Sequence, residues 1–339
     1  MPGSPTPEHS ELGRLEPRWP SAEPRSQQVV QECLSMTSTR TEVLAPEALL
    51  DWYAAAARDL PWRAGGVSAW AVLVSEVMLQ QTPVARVLPI WSTWMARWPE
   101  PVALADDTPA DAVRAWGKLG YPRRALRLHA AADRIVTQFD GSVPTSIEDL
   151  QSLPGIGAYT ARAVAAFAFG ARTPVVDTNV ARVFARAVLG RARAGPSVTA
   201  ADRACVEALL PAAPAEAARF SVAVMELGAL VCTAGSPSCA RCPVRPDCAW
   251  HRAGAPAYDG PCRKPQRFEG TDRQVRGRLL DVLRGTAAPV SADDLGRAWT
   301  DSEQRSRALV SLLRDGLVVQ ITDGRFGLAG EGATPEGSG

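Results

Sequence analysis

The amino-acid sequence predicts an all-α domain followed by a small α+β domain. From about Val43 to Trp250, Ala, Leu and Val recur at helical spacing, whereas strand-like alternation of apolar and polar residues is scarce. Breakers such as Pro99, Gly141 and Pro174 divide this region into separate helices. Further along, the pattern changes to short amphipathic stretches and a hairpin, so we expect a second domain of a different class.

The regions around the helical domain differ from it in composition. Residues 1–40 are rich in Pro, Ser, Glu and Arg and have no apolar period, so we expect a disordered N-terminal extension. The helical domain then covers residues 41–252, with clear helical spacing over 71–98 and 161–169. Residues 253–270 contain Gly, Pro and a basic stretch, which together predict a linker.

Residues 271–329 combine three short helices with a hairpin. Asp323-Gly324 is a favoured dipeptide for a two-residue hairpin turn. A helix–helix–helix–hairpin order predicts a winged-helix-like α+β domain. The predicted helices and strands cover residues 274–284, 291–299, 302–315, 317–321 and 325–328. We expect residues 330–339 to form a disordered tail.

Composition and charge limit the classes of function. Of the 339 residues, 46% are hydrophobic and 22% are charged, which is ordinary for a globular protein. The formal net charge is +1, so no general basic surface is available and any nucleic-acid site must be local. With only three histidines, acid–base chemistry would rest on carboxylates or tyrosines.

No segment has the pattern of a membrane or export sequence. No apolar run approaches the roughly 18 residues that a membrane helix needs. The N-terminus lacks the charged start and apolar core of a signal peptide. Seven cysteines in such a chain favour reduced thiols or a metal site over disulfides. We therefore expect a cytoplasmic protein with no membrane partner.

Four cysteines lie close together near the end of the helical domain. They follow the spacing C-x6-C-x2-C-x5-C over residues 232–248. Such a compact run suits a [4Fe–4S] cluster, in which each iron takes one cysteine. The alternatives are structural zinc, which more often uses two separated C-x2-C pairs, and four unrelated thiols. The predicted ligands are Cys232, Cys239, Cys242 and Cys248, whereas Cys33, Cys205 and Cys262 lie outside the pattern.

Two arginines lie between these cysteines. A cluster that fixes the loop would present Arg241 and Arg245 to a phosphate group. The alternative is that both side chains are solvated loop charges.

A glycine-containing turn joins two helical stretches, residues 147–152 and 159–169. Its sequence over residues 153–157 is Leu-Pro-Gly-Ile-Gly, in which Gly155 and Gly157 permit tight turning. Their amides can point outward at the start of the second helix and bind a phosphate oxygen without net charge. A plain turn between helices is the alternative. The segment resembles the helix-hairpin-helix signature, which favours binding to DNA.

Asp177 stands immediately before a helical run over residues 180–189. An aspartate there accepts amide hydrogen bonds as a helix N-cap, which is one interpretation of its presence. A functional carboxylate is the other. The two are compatible, because a cap also fixes the carboxylate in place.

Glu76 lies in the segment SEVMLQQT at residues 75–82. Its apolar neighbours predict partial burial, which would raise the pKa of its carboxyl group and make it a proton donor near neutral pH. The alternative is a glutamate on an exposed first turn beside Ser75. Gln80 and Gln81 form a polar pair that the surface of an amphipathic helix could accommodate.

Together these segments resemble the helix-hairpin-helix DNA glycosylases that carry an iron–sulfur loop, and in particular the MutY family. The resemblance covers about residues 43–250 in a consistent order. SEVMLQQT and the cysteine spacing are its specific parts, whereas the hairpin and the aspartate segment are shared more widely. The other matching segments are LPWR at 60–63, GKLGY at 117–121 and VDTNV at 176–180.

The resemblance implies catalytic roles for the two carboxylates. The aspartate of the VD-x-N segment serves catalysis in this superfamily, which carries over to Asp177. A glutamate in SEVMLQQT marks the adenine-removing branch, which carries over to Glu76. Where the endonuclease III branch has a lysine nucleophile, this chain has Tyr159. Because tyrosine cannot form a Schiff base, the resemblance implies a monofunctional glycosylase.

The resemblance also implies a mechanism. The target adenine is flipped out of the duplex, and Glu76 protonates N7 of the extruded base. Asp177 stabilises the oxocarbenium ion that forms or traps it briefly, and water then completes an abasic site.

Further residues acquire expected contacts by the same resemblance. Tyr121 and Tyr159 would line the sugar side of the pocket, and Asn179 would orient a catalytic group. Gln80 and Gln81 would fill the gap in the duplex or touch the opposite strand. Arg63 would contact the base or a nearby carboxylate.

Two features depart from the MutY pattern. That family commonly has a C-terminal domain like a nucleotide hydrolase, which helps to recognise 8-oxoguanine, whereas residues 271–329 are too short for it. The GKLGY segment continues with Pro122, where a second tyrosine is common, and we assign no role to this position.

We therefore expect a monofunctional DNA glycosylase of base excision repair that removes adenine paired with 8-oxoguanine or guanine. Its expected partner is duplex DNA with a mispaired adenine, and we expect a monomer that is nucleoid-associated if bacterial. The [4Fe–4S] cluster is expected to be structural or redox-sensing. The alternatives are a glycosylase of this fold with another mismatch or damaged-base specificity, a non-catalytic iron–sulfur DNA-binding regulator, and a ferredoxin-like electron carrier.

Overall fold

The structure is a computed structural model in which residues 44–260, 266–321 and 323–331 are described. The first domain contains the helices α1 (Pro46–Ala56), α2 (Ala69–Leu79), α3 (Val84–Arg97), α4 (Pro101–Ala105), α5 (Pro109–Trp116), α6 (Arg123–Gln138), α7 (Ile147–Ser152), α8 (Ala158–Phe169), α9 (Thr178–Ala187), α10 (Ala200–Ala208), α11 (Pro214–Leu230) and α12 (Ala249–Arg252). Short 3-10 helices cover Pro61–Arg63 and Cys239–Arg241. The second domain contains α13 (Asp272–Arg284), α14 (Ala292–Gly296), α15 (Ser302–Arg314), β1 (Val318–Gln320) and β2 (Phe326–Leu328).

The predicted fold class is confirmed, because an all-helical domain is followed by a small α+β domain. The predicted extension over residues 1–40 lies outside the described residues, as does most of the predicted tail. The described parts of the predicted linker, from 253 to 260 and from 266 to 270, contain no helix or strand. In the described part of the chain, no helix is both long and apolar enough to cross a membrane.

The long helical pattern over residues 71–98 belongs to two helices rather than one. Helix α2 ends at Leu79 and α3 begins at Val84, with Gln80 and Gln81 in the turn between them. Pro83 supplies the physical reason, since proline disfavours helical backbone at the preceding residue and lacks an amide hydrogen. Gln81 adopts a left-handed conformation, with φ of 54°, which helical periodicity cannot reveal.

Tryptophans form the centre of the larger core. Trp94 packs edge-on against Trp98 and Trp116, at ring-centroid distances of 4.7 and 5.6 Å. Apolar residues of α13, including Leu279 and Leu283, belong to this same core, so the second domain packs directly against the first. A separate core lies between α9 and α11 and includes Phe220.

The second domain contains the predicted helices and hairpin. Strands β1 and β2 pair antiparallel, with Val318 opposite Leu328. The domain contacts α5 through hydrogen bonds to backbone carbonyls: Arg284 Nε donates to Val113 O at 3.0 Å, and Arg114 Nη2 donates to Thr286 O at 3.1 Å.

Candidate active site

A cleft of about 1110 Å³ lies between the two cores and gathers most of the predicted site residues. One wall comes from α2 and α8, and the opposite wall from α11 and the start of α9. The predicted residues that line the cleft are Arg63, Glu76, Gln80, Gln81, Gly155, Gly157, Tyr159, Asp177 and Asn179. A cleft lined by several polar and ionisable side chains is a candidate active site.

Glu76 lies on α2 with only 7% of its surface exposed. The helix is capped by Ser68, so Glu76 belongs to its buried second half and not to an exposed first turn. The pKa of its carboxyl group is raised to about 7. Burial is the largest cause and the negative charge of Asp177 adds to it, whereas a hydrogen bond from Tyr159 and the charge of Arg63 oppose the rise. The carboxyl group is therefore poised to exchange a proton near neutral pH.

Tyr159 lies in the first turn of α8, next to Glu76. Burial raises the pKa of its phenol well above 10, and the charges of Glu76 and Asp177 raise it further. The phenol therefore stays neutral and acts as a hydrogen-bond donor to the Glu76 carboxylate.

Asp177 is the N-cap of α9 and also faces the cleft. Its Oδ1 accepts hydrogen bonds from the backbone amides of Asn179 (2.9 Å) and Val180 (2.7 Å). Its Oδ2 accepts one from Asn179 Nδ2 at 2.8 Å. Burial raises the pKa of the carboxyl group, and these hydrogen bonds oppose the shift. The capping interpretation is confirmed, and the functional interpretation stays a prediction that is compatible with the position of the carboxylate in the cleft.

Arg182, further along α9, joins Asn179 to α11 and to the cysteine loop. Its Nη2 donates to Asn179 Oδ1 and to Gly228 O, both at 2.7 Å, and its Nε donates to Cys232 O at 2.6 Å. A Cβ atom at Gly228 would lie 2.7 Å from Asn179 Cβ, so only glycine permits this close approach of α11. The sequence analysis missed Arg182.

Glu226 on α11 is another buried carboxylate beside the cleft, and it too was not among the predicted site residues. It is fully buried and pairs with Arg58 (2.7 Å) and Arg63 (3.0 Å). Although burial opposes ionisation, the hydrogen bond from Arg58 and the charge of Arg63 lower the pKa of its carboxyl group to about 2. The expected contact of Arg63 with a nearby carboxylate is thus made to Glu226.

The predicted hairpin joins α7 to α8 and opens onto the cleft. Gly155 has φ of 81°, and a Cβ there would lie 2.8 Å from Arg127 Cβ, so glycine is required. Gly157 is the N-cap of α8 and has no side chain to bond the first amides of that helix. These amides can therefore donate hydrogen bonds to an anionic ligand.

Tyr121 stands apart from the other predicted residues. It lies in the turn before α6, is 53% exposed, and does not line the cleft, so its position does not match the expected sugar side of the pocket. Gln80, by contrast, lines the cleft, and its Nε2 donates to Thr160 Oγ1 at 3.1 Å. Periodicity gives no signal for either placement, because both residues lie in turns.

The four predicted cysteine ligands line a common cavity beside α9. The pKa of the Cys242 thiol is raised to about 11, mainly by burial and in part by the negative charges of the other three sulfurs. Arg186 Nη1 lies 3.4 Å from Cys232 Sγ. Among the described residues, no group of three or more His, Cys, Asp or Glu is placed to hold a single metal ion. Arg241 and Arg245 are exposed on this loop, and Arg245 Nε lies 2.9 Å from His251 Nε2.

Comparison with known proteins defines first the class and then the family. Residues 74–207 match the family described as HhH-GPD superfamily base excision DNA repair protein. A solved structure of a thermostable thymine-DNA glycosylase covers 64% of this chain and 99% of its own at 23% identity, with a TM-score of 0.57, and shares the fold.

Curated relatives give the narrower assignment. The chain is 60% identical over 285 residues to the adenine DNA glycosylase of Mycobacterium tuberculosis, covering 84% of this chain and 93% of that protein. It is 58% identical over 292 residues to the adenine DNA glycosylase of Mycolicibacterium smegmatis, covering 86% and 98%. The chain belongs to the adenine DNA glycosylase family, as the resemblance to the MutY family indicated.

Proposed function

We propose that the protein is a monofunctional DNA glycosylase of base excision repair, which hydrolyses the N-glycosidic bond of adenine mispaired with 8-oxoguanine or guanine. The observation that carries this proposal is the pair Glu76 and Asp177, two carboxylates of different character in one cleft. Membership of the adenine DNA glycosylase family supports the choice of base. If the source is bacterial, this activity belongs at the nucleoid.

Glu76 acts as the general acid. With a pKa of about 7, a large share of its carboxyl group is protonated at neutral pH and can donate to N7 of the extruded adenine. The proton makes adenine a neutral leaving group as the bond from its N9 to the sugar carbon C1′ breaks. The bonding electrons leave with the base, so the sugar becomes an oxocarbenium ion.

Asp177 stabilises this cation. Its three hydrogen bonds from the start of α9 hold an ionised carboxylate in a fixed position. Water then adds to C1′ and loses a proton, which leaves an abasic site. Glycoside hydrolases likewise use one protonated carboxyl group as an acid and one ionised carboxylate near the sugar.

DNA contacts follow from the placement of the remaining residues. A stacked adenine must be extruded before it reaches Glu76, and the cleft of about 1110 Å³ can hold a base with its sugar. The amides at Gly155 and Gly157 would bind a backbone phosphate at the start of α8. Arg241 and Arg245 would contact a second stretch of backbone from the cysteine loop, and Gln80 and Gln81 would contact the opposite strand.

The four cysteines would hold a [4Fe–4S] cluster. The fit rests on the cavity that all four thiols line together with apolar side chains, and on the Arg186 guanidinium beside Cys232. Glycosidic cleavage transfers no electron, so the cluster would supply a fixed shape for the loop and a redox-sensitive element. Protein purified without oxygen should contain about four irons per chain. Stoichiometric zinc without iron would contradict this assignment.

The decisive experiment uses labelled duplexes that carry adenine opposite 8-oxoguanine, guanine, cytosine or thymine. We expect base loss with the first two, seen as strand cleavage only after alkali. Borohydride should trap little protein on the DNA, because Tyr159 offers no amine for an imine. No loss of adenine from the 8-oxoguanine and guanine duplexes would reject the adenine assignment, and strong trapping would reject the monofunctional one.

A further inference from the structure

A buried arginine, Arg186, lies beside the cysteine loop in the last turn of α9, and only 4% of its surface is exposed. Its Nη1 donates to Thr233 O (2.8 Å) and to Cys232 Sγ (3.4 Å), and its Nη2 donates to Ala234 O (3.2 Å). Its Nε donates to Ala192 O (3.0 Å), in the segment that follows α9. One guanidinium group therefore contacts the first cysteine of the loop and the two residues after it.

These contacts satisfy the hydrogen bonds of Arg186 but leave its charge unbalanced. Three of the four acceptors are neutral carbonyl oxygens, and within the described residues no carboxylate lies within ion-pair distance of the guanidinium group. The Trp250 ring, whose centroid lies 4.9 Å from the guanidinium carbon, offsets part of the charge. Arg182, earlier on α9, bonds Cys232 O at 2.6 Å, so two cations flank the same cysteine. A buried cation in this position needs a nearby anion.

The fourth acceptor, Cys232 Sγ, can carry that negative charge. As a ligand of the proposed cluster it would be a thiolate, and four thiolates give a [4Fe–4S] cluster a net negative charge. The cavity that the cysteines line has the complementary charge, because its other ionisable residues are Arg186, Arg245 and His251, and no carboxylate is among the described residues that line it. Of these three, Arg186 alone is buried, so its charge is the least screened by water.

We propose that Arg186 is the counter-ion of the iron–sulfur cluster and that it raises the reduction potential of the cluster. Reduction adds an electron to a group that is already negative, so an adjacent buried cation and an N–H···S hydrogen bond both favour the reduced form. The direction is the same for either one-electron couple of the cluster, because each adds one negative charge. This inference rests on the proposed [4Fe–4S] cluster but not on the excision reaction.

Reduction potentials of the iron-loaded protein, measured without DNA by protein film voltammetry, test the proposal. Arg186→Gln removes the charge but retains an amide donor. The equilibrium constant for one-electron reduction should therefore fall by about tenfold, which is a shift of about 59 mV to lower potential. Arg186→Lys keeps the charge but cannot bond three carbonyls at once. Its equilibrium constant should stay within about threefold of the wild type, whereas loss of iron to a chelator should be several-fold faster.

Arg245→Gln is the matched control. Arg245 lines the same cavity but is exposed, so water and salt screen its charge. Removing it should change the equilibrium constant for reduction by less than about twofold. If Arg245→Gln and Arg186→Gln shift the potential equally, burial next to Cys232 has no special effect and the proposal is wrong. Equal falls in Arg186→Gln and Arg186→Lys would assign the effect to hydrogen bonds and would also overturn the counter-ion role.

The iron content of each variant separates this inference from the cluster assignment. If the wild type holds about four irons per chain and Arg186→Gln has the wild-type potential, the inference fails and the cluster assignment stands. If Arg186→Gln takes up no iron whereas Arg186→Lys takes up the full complement, the need for a positive charge is supported. If neither variant takes up iron, Arg186 supports only the shape of the loop and the proposal is overturned. A wild type that holds zinc overturns both assignments.

Discussion

Two walls of the cleft each carry a buried glutamate, and the two behave in opposite ways. Glu76 on α2 and Glu226 on α11 both lie within helices among apolar residues and are almost fully buried. The pKa of the Glu76 carboxyl group is raised to about 7, whereas that of Glu226 is lowered to about 2. Burial is common to both, so it cannot explain the difference.

The groups that surround the two carboxylates explain why their pKa values shift in opposite directions. Glu76 faces a phenol and a second carboxylate, so nothing nearby compensates fully for its desolvated charge. Glu226 is bonded by two guanidinium groups, which stabilise its ionised form. Arg63 links the two walls, because it bonds Glu226 while its charge also lowers the pKa of Glu76. One wall thereby holds a transferable proton and the other a permanent anion.

The largest effect should come from removing the transferable proton. Glu76→Gln keeps the size of the side chain but cannot donate as a carboxylic acid, so excision should fall by about 10²–10⁴-fold. Affinity for the mismatched duplex, measured by gel shift, should stay close to that of the wild type. If Glu76→Gln excises adenine at the wild-type rate, the raised pKa of Glu76 has no role in catalysis.

Asp177→Asn separates catalysis from helix capping. Asparagine is as good an N-cap as aspartate, so the thermal midpoint should change little. The negative charge is lost, and single-turnover excision should fall by about 100-fold. Loss of activity together with a large loss of stability would instead point to the cap as the main role of Asp177.

Glu226→Gln tests the opposite wall through stability. It leaves the half-buried Arg58 and Arg63 without their anion, which should lower the free energy of unfolding by about 1–3 kcal/mol at pH 7. Since the folded pKa of Glu226 lies below its usual value of 4.5, its contribution is present above that pH and is lost as the pH falls towards 2. Urea titrations at several pH values measure this. If the free energy of unfolding of the variant falls with decreasing pH as much as that of the wild type, Glu226 is not the group responsible.

The sequence was sufficient for the features that local pattern encodes. The helices, the hairpin at Gly155 and the cap at Asp177 depend on residues close together in the chain, and the two interpretations of Asp177 proved compatible. Glu226 has apolar neighbours much like those of Glu76, and that signal could have drawn attention to it. Its partner Arg58 lies 168 positions away, however, and no spacing rule reaches so far. Arg182 escaped notice for the same reason, since the carbonyls of Gly228 and Cys232 that accept its hydrogen bonds lie 46 and 50 positions away.

The smallest predicted effect concerns the influence of Tyr159 on the pKa of the Glu76 carboxyl group. The phenol donates a hydrogen bond to the ionised carboxylate and so lowers the pKa of Glu76 against the effect of burial. Tyr159→Phe removes this bond but retains the ring, so the pKa of Glu76 should rise above about 7.

Because the proposed mechanism uses Glu76 in its protonated form, excision should decline as the pH rises through that pKa. In Tyr159→Phe the decline should move to higher pH by up to about one unit, which corresponds to roughly 1.4 kcal/mol of lost stabilisation of the ionised form. Single-turnover rates from pH 5.5 to 9 measure the shift, and Tyr53→Phe, at the cleft edge beside Arg58, is the matched control. A decline that moves to lower pH would mean that the phenol stabilises the protonated carboxyl group, and would reverse the electrostatic contrast drawn between the two walls.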